Sequence, residues 1–366
     1  MIVKNEAHVI ERCLYSVKPL IDYALIVDTG STDKTVLRSR NWLSSNGIPG
    51  EVLEHDWQDF ATNRSLAIEC IRPQNIDYVL MIDADEVIQF DGPCDIAGFK
   101  RQLRDDVYYV LVKTGGEEFL RPQLFRNDKP FYYRAVVHEY LECHDPIETR
   151  GRIQEFWFYA VQDSHRNKSG NKFESDARIL SQALEQETDD YLILRYSFYL
   201  ARTLQSLGRD LEALHYFEQR AGMGYWQEEI YWSLYQIAGL KEKLGHEPDI
   251  VLQAYLAAHE LCPWRAEALH GAARFARKTK RYQQAYILSK HGLGIPFPPD
   301  SLFSQRWIYN YGMLDEFAVA TYWTKRYQES REACEKLLRE QKVPAADEAR
   351  VRKNLDWAIK GLAENP

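Results

Sequence analysis

The sequence predicts an α/β unit followed by an all-α array of helical hairpins. Three observations predict it. From Met1 to about Val161, short apolar runs alternate with helical patterns, as in a sheet covered by helices. Beyond about Lys172 the strand signals vanish. In their place, small and large apolar residues recur roughly every 34 to 38 residues, a period of helix-pair repeats. The expected domains are residues 1–170 and 171–366.

Met1-Ile2-Val3 is a very short first strand; either it is truly that short or the native start lies upstream. Tyr23 to Val27 reads as a strand ending in the polar turn Asp28-Thr29-Gly30-Ser31-Thr32-Asp33, rich in helix-capping residues. A helix follows from Thr35 through Leu43, then a short strand at Val52-Leu53. Phe60 to Ile71 reads as a helix with Phe60, Leu66, Ala67 and Cys70 on or near one face. Val79 to Ile82 is a buried strand. Val107 to Val112, Phe131 to Val137 and Phe156 to Val161 are later strands, the first two antiparallel in character. Gly115-Gly116 either covers an acceptor side or is a simple hairpin turn.

In the second half, Tyr196, Leu200, Ala201, Leu204, Gly208, Ala213 and Phe217 follow the tetratricopeptide pattern. Leu234, Ala238, Gly245, Val251, Tyr255, Ala258 and Pro263 form a second unit, and Leu269, Ala273, Ala276, Tyr282 and Ala285 a third. A less regular fourth uses Ala318, Tyr327 and Cys334. The Gly- and Pro-rich stretch Gly292 to Pro299 breaks the array before it, and a helix from Asp347 to about Leu362 caps the stack.

A net charge of -8 argues against a polyanion such as nucleic acid as the main partner. Six scattered cysteines hold no CxxC or zinc knuckle and favour a reducing compartment. No apolar run is long enough to span a bilayer and the start has no apolar signal core, so a cytoplasmic location is expected. The 23 tyrosines and 9 tryptophans suit carbohydrate stacking and packed hairpins equally.

The chemistry concentrates at Asp83-Ala84-Asp85-Glu86. Three acids at a strand end repel one another unless a cation sits there, and hard oxygen ligands suit Mg2+ or Mn2+. A solvated acidic turn is the bland alternative. If the segment stays extended, alternation puts Asp83 and Asp85 on one side. Glu86 reads as an acid at a helix N-terminus.

Together, Met1 to Glu6, Val27 to Asp33, Asn63-Arg64-Ser65-Leu66-Ala67 and Asp83 to Glu86 resemble the family 2 glycosyltransferases of GT-A fold, a Rossmann-like nucleotide-diphospho-sugar transferase domain. The resemblance extends to the bacterial subgroup in which that domain precedes tetratricopeptide-like helices, and it covers essentially the whole chain. It implies a nucleotide-sugar donor, with a UDP-hexose expected, and Mn2+ or Mg2+. It implies donor contacts from Val3, Asn5, Glu6, Asp28, Arg64 and Asp83, and metal ligation by Asp85 in a DXD motif. Thr29 stands where the family often has a second acid, a departure at the base-contacting position.

Asp28 is read as an acceptor for a nucleobase or ribose, or else as a plain turn residue. Arg64 is read as a bidentate diphosphate ligand, or as a surface charge. Val137-His138-Glu139 resembles the subgroup's Val-His-Glu, which implies Glu139 as the general base of an inverting transfer, with His138 orienting the donor or acceptor; a structural His–Glu pair is the alternative. His165 matches a C-terminal metal-ligating histidine, or is a structural one; His165-Arg166 departs from the usual His-Tyr or His-Gly. The acceptor expected is a hydroxyl or thiol on a peptide or protein. Rival expectations are an envelope glycan or lipid-linked acceptor, or a non-catalytic scaffold with a degenerate domain. The helical repeats are expected to bind acceptor, buttress the first domain or pair two copies.

Overall fold

The computed structural model describes residues 1–115, 118–298 and 301–364. The chain divides into two compact units, Met1–Gln186 and Glu187–Pro366.

The first unit opens with β1 (Ile2–Val3), α1 (Ile10–Val17), β2 (Ala24–Asp28), α2 (Thr35–Asn46) and β3 (Gly50–Glu54). The three strands form a parallel sheet in the order β1-β2-β3. Ile10, Cys13, Leu14 and Val17 recur at helical spacing and give α1 one buried face. α3 (Phe60–Ile71) starts where the Asp59 carboxylate accepts the Thr62 N–H at 2.8 Å.

There follow β4 (Tyr78–Leu80), β5 (Glu86–Phe90), α4 (Ile96–Gln102), β6 (Val107–Lys113), β7 (Glu118–Arg126), β8 (Phe131–Arg134), β9 (Tyr140–Cys143), β10 (Arg150–Arg152) and β11 (Phe156–Ala160). Two helices, α5 (His165–Lys168) and α6 (Lys172–Gln186), close the unit. A mixed sheet runs β4-β7-β6-β11-β5 with β10 beside β6, while β8 and β9 form a separate hairpin. Its core is built from Ile88, Val110, Val112, Phe156 and Phe158.

Two expectations are corrected. The strand expected over Phe131 to Val137 stops at Arg134, because Ala135 and His138 adopt positive φ (79° and 56°) and turn the chain back into β9. β7 gave no strand signal because Pro122 interrupts it; the ladder absorbs the missing donor through a register shift at Tyr108/Tyr109, opposite Pro122. Gly115 lies in the β6–β7 connection, and Gly116 lies outside the described residues.

The regular elements of the second unit among the described residues are helices, α7 (Asp190–Ser206), α8 (Asp210–Gly222), α9 (Gln227–Lys243), α10 (Pro248–Leu261), α11 (Glu267–Lys278), α12 (Tyr282–Gly292), α13 (Met313–Trp323), α14 (Tyr327–Glu340) and α15 (Ala345–Glu364). A π-helical turn at Ile308–Gly312 leads into α13. Pro299, in the break before it, lies outside the described residues. Buried alanines such as Ala238, Ala258, Ala272 and Ala276 let neighbouring helices approach closely. The turns repeat one geometry. Gly208 and Gly245 take positive φ (74° and 75°) in the first two hairpins, and Lys280 and Lys325 take it (60° and 61°) in the next two. Each turn is closed by the same pair of backbone bonds, as in Gly208 N–H to Gln205 C=O and Arg209 N–H to Leu204 C=O.

Candidate functional site

The C-terminal ends of β1 and β2 carry two loops that hydrogen bonds lock together. Val3 C=O accepts both the Thr29 N–H (2.9 Å) and the Thr29 hydroxyl (3.1 Å). Asn5, held at φ 58°, accepts the Thr32 N–H through its side-chain oxygen at 2.7 Å and donates its own N–H to Ser31 Oγ at 2.8 Å. Glu6 N–H donates to Thr35 Oγ1 at 2.7 Å. Asp28 is 2% exposed; its Oδ2 accepts the N–H groups of Gly30 (3.1 Å) and Ser31 (2.8 Å), which is the turn role weighed above. Its other oxygen, Oδ1, is buried with no hydrogen-bond partner.

The acidic motif does not stay extended. Residues 83–86 fold into a turn in which Glu86 N–H donates to Asp83 C=O and Asp83 N–H to Glu86 Oε2, both at 3.0 Å. The turn sends the acids to different partners, so the alternation argument for Asp83 and Asp85 fails. Glu86 opens β5 rather than a helix and is 2% exposed.

Two arginines neutralise two of the acids. Arg64, on α3, is buried rather than a surface charge; its Nη2 meets Asp83 Oδ1 at 2.5 Å and its Nε meets Glu139 Oε1 at 2.7 Å. Arg121, on β7, pairs with Glu86 and lies 3.7 Å from Asp83 Oδ2. Burial opposes ionisation of Asp83, but the charges of Arg64 and Arg121 outweigh it and hold the carboxyl below its ordinary value. Burial pushes Glu86 up to about 7, and the Asp83 charge adds to that against the pull of Arg121. The Tyr133 ring lies 5.5 Å from the Arg64 guanidinium. His138, in the β8–β9 turn beside Glu139, is exposed.

Asp85 is treated differently. Among the described residues it has no ion pair; its Oδ2 accepts from Ser164 N–H (3.2 Å) and from the Asn167 amide (3.4 Å). Next in the chain, His165 N–H donates to both Glu6 oxygens at 3.2 and 3.3 Å. Burial raises Glu6 to about 7, the His165 N–H opposes that, and the charges of Asp85, Asp33 and Asp163 raise it further. Arg12 pairs with Asp163 through bonds of 2.9 and 2.6 Å, and at longer range its charge and that of Lys172 reach Asp85 and that of Lys168 reaches Asp163, which sets three cations against the four acids Glu6, Asp33, Asp85 and Asp163. This corner therefore carries more acid than base. Carboxylates of Asp85 and Glu6 with the imidazole of His165 are a donor set suited to Mg2+ or Mn2+, and the excess negative charge fits a cation. Among the described residues, no three His, Cys, Asp or Glu side chains already converge on a common centre.

Glu6, Asp28, Asp83, Asp85, Arg64, Glu139 and His165 thus come from separate segments that hydrogen bonds and ion pairs link in one region. Arg121 and Glu86 are the members that sequence reasoning missed. The signal for Arg121 was a lone arginine in the apolar run Phe119-Leu120-Arg121-Pro122, where three acids elsewhere lacked a cation.

Residues 1–162 match the glycosyl transferase family 2. They are a family 2 glycosyltransferase domain. Similar proteins include an uncharacterized glycosyltransferase from Rickettsia bellii, 29% identical over 124 residues, which cover 34% of this chain and 35% of that one. A TPR repeat-containing protein from Synechococcus elongatus is 29% identical over 147 residues, 39% of this chain and 34% of that one. The glycosyltransferase SunS from Bacillus subtilis is 24% identical over 232 residues, 60% of this chain and 51% of that one. The chain thus spans between about a third and a half of the length of these relatives. Among solved structures, a tetratricopeptide repeat protein from Parabacteroides merdae is 18% identical, with 53% of this chain and 71% of that one covered and a TM-score of 0.40. No described helix is long and apolar enough to cross a membrane.

Proposed function

We propose that the glycosyltransferase domain moves a hexose from a nucleotide-sugar, UDP-linked by preference, to a hydroxyl or thiol on a peptide or protein, with inversion. The observation that carries this reading is the corner beside His165 where the acids Glu6, Asp33, Asp85 and Asp163 outnumber Arg12, Lys168 and Lys172 and where Asp85 has no ion pair among the described residues, beside a network in which every acid has its arginine.

Asp28 Oδ1, buried and unpartnered, accepts from the nucleobase or ribose. Val3 and Asn5 hold the loop that frames it. Asp85 and His165 hold Mg2+ or Mn2+, with Glu6 beside them; when bound, such an ion stabilises charge on the departing diphosphate. Arg64 fixes Glu139 through Nε and trades its Asp83 contact for a diphosphate oxygen, leaving Asp83 to a sugar or ribose hydroxyl. Glu139 takes the acceptor proton, His138 orients the acceptor, and the acceptor atom attacks the anomeric carbon. The bond from that carbon to the phosphate oxygen breaks, and the nucleoside diphosphate leaves with the electron pair. The helical unit binds the acceptor or buttresses the domain.

A second reading has one observation in its favour. Arg64 already satisfies Glu139, as a purely structural pair would in a scaffold that has lost activity. Thermal-shift measurements with UDP, GDP and ADP, with and without Mn2+, separate the two. The enzyme reading expects metal-dependent stabilisation by one nucleotide, lost in Asp85→Ala and retained in Glu139→Gln, which stops turnover. A flat response across the panel supports the scaffold, and turnover by Glu139→Gln removes that residue as the base.

A further inference from the structure

One cation of the first unit stands where neither its helix nor its neighbours favour it. Lys172 is the first residue of α6, a helix of 15 residues, and so lies at the positive pole of the helix dipole. It is half-buried, and among the described residues it has no ion pair; its Nζ donates to the amide oxygen of Asn167 at 3.0 Å. Burial, and then the like charge of Arg166, act against the ammonium, while the Asp85 charge favours it. Arg166 itself is matched, by the carboxylate of buried Asp176 and by the Phe60 ring 4.5 Å from its guanidinium. Each of these placements of Lys172 costs stability, and breaks of local preference of this kind gather at functional sites.

The Asn167 amide that receives Lys172 also donates to Asp85 Oδ2, at 3.4 Å. One neutral amide thus stands between a carboxylate and an ammonium, neither of which has an ion pair among the described residues. Opposite charges held apart in this way suit a ligand that carries both signs. A divalent ion with a diphosphate is such a ligand: the ion meets the carboxylate and a phosphate oxygen meets the ammonium.

We propose that Lys172 is a phosphate ligand of the donor, its Nζ donating to the phosphate joined to the sugar, with Asn167 as the residue that positions it. The inference rests on the nucleotide-sugar reading above and adds the side chain that meets the leaving charge. When the bond from the anomeric carbon to the phosphate oxygen breaks, the electron pair stays on that oxygen and the acceptor proton goes to Glu139. The ammonium faces the charge so formed. A lysine serves here as a compact point charge, where Arg64 offers a planar fork.

Calorimetric titration of the full chain tests this, with UDP, GDP, ADP and the matching monophosphates, each with Mn2+. Wild type, Lys172→Gln and Lys172→Arg are compared on the nucleotide that the wild type binds best. Lys172→Gln is expected to weaken the diphosphate by about 10-fold or more, as loss of a charge-assisted hydrogen bond does, and the monophosphate by less than about 2-fold. Lys172→Arg, which keeps the charge, should recover part of the loss. Without ligand, Lys172→Gln should unfold at the wild-type Tm or above it, which separates lost binding from lost folding. Equal diphosphate affinity in Lys172→Gln and wild type overturns the proposal and leaves the nucleotide-sugar reading standing. An equal loss for monophosphate and diphosphate also overturns it. A wild type that binds none of the nucleotides overturns both.

Discussion

Replacing Arg64 with leucine removes one guanidinium from two carboxylates at once. Asp83 and Glu139 share it through bonds of 2.5 and 2.7 Å, and Arg64 is only 8% exposed. Breaking a buried pair by deleting one partner costs about 3–5 kcal/mol, because the charge left behind stays buried. For a unit of this size, Met1–Gln186, that lowers Tm by roughly 6–20 °C at pH 7.5. The pH dependence distinguishes this cause from lost packing. In the wild type the arginine charges hold Asp83 below its ordinary value against the opposing effect of burial. Without Arg64 that opposition is less offset, so the carboxyl rises. A group raised in the folded state stabilises at low pH and loses that contribution as pH climbs through its folded value. The cost of Arg64→Leu should therefore shrink by about half between pH 7.5 and pH 4.5, followed by urea unfolding. Adding Glu139→Gln to Arg64→Leu should restore about 1 kcal/mol, a coupling typical of groups in contact. An equal cost at both pH values, with no recovery in the double variant, would refute the charge argument and leave packing as the cause.

Two further outcomes are expected. Glu86 is raised to about 7, so the stability it contributes is full below its ordinary value of 4.5 and lost as pH rises to about 7; Glu86→Gln should gain on the wild type across that window, by up to about 3 kcal/mol, and parallel stability–pH curves would contradict this. Lys280 and Lys325 occupy left-handed turn positions that Gly208 and Gly245 fill in the other hairpins; Lys280→Gly and Lys325→Gly should each raise stability by about 0.5–1 kcal/mol in urea titrations, strain relief exceeding the added unfolded-state freedom.

The helical half was legible because its signals are local. Buried Tyr196, Leu200, Ala201 and Leu204 recur at helical spacing, and Gly208 marks the turn. The fourth hairpin reads less regularly, with Lys325 at the turn position that Gly208 and Gly245 fill in the first two. In the first half, β7 was illegible since Pro122 interrupts its pattern and a register shift that leaves Gln123 of β7 out of the pairing follows it. The site's motifs were visible because each is a contiguous run at the end of a strand or the start of a helix. Their partners were not. Arg64 meets Glu139 across 75 residues and Arg121 meets Glu86 across 35, separations that no periodicity encodes. The sequence reading therefore found the acids and assigned their countercharge to a metal, where the structure supplies two arginines for Asp83, Glu86 and Glu139.

That division makes a last prediction about two acids two residues apart. Asp83 lies between Arg64 and Arg121, so Asp83→Asn strips both guanidiniums of a charge they hold inside the protein, at a cost of about 2–4 kcal/mol. Asp85 has hydrogen bonds from Ser164 and Asn167 in place of an ion pair, and its charge helps to raise Glu6. In Asp85→Asn the amide oxygen can still accept from Ser164 N–H, and the repulsion on Glu6 falls. Its stability at pH 7.5 should stay within about 0.5 kcal/mol of the wild type or exceed it. Measured side by side by thermal unfolding without added metal, the two variants should differ in Tm by several degrees, Asp83→Asn the lower. If Asp85→Asn unfolds as readily as Asp83→Asn, Asp85 is held by a countercharge after all, and the acid-rich corner has no charge left for an exchangeable cation to answer.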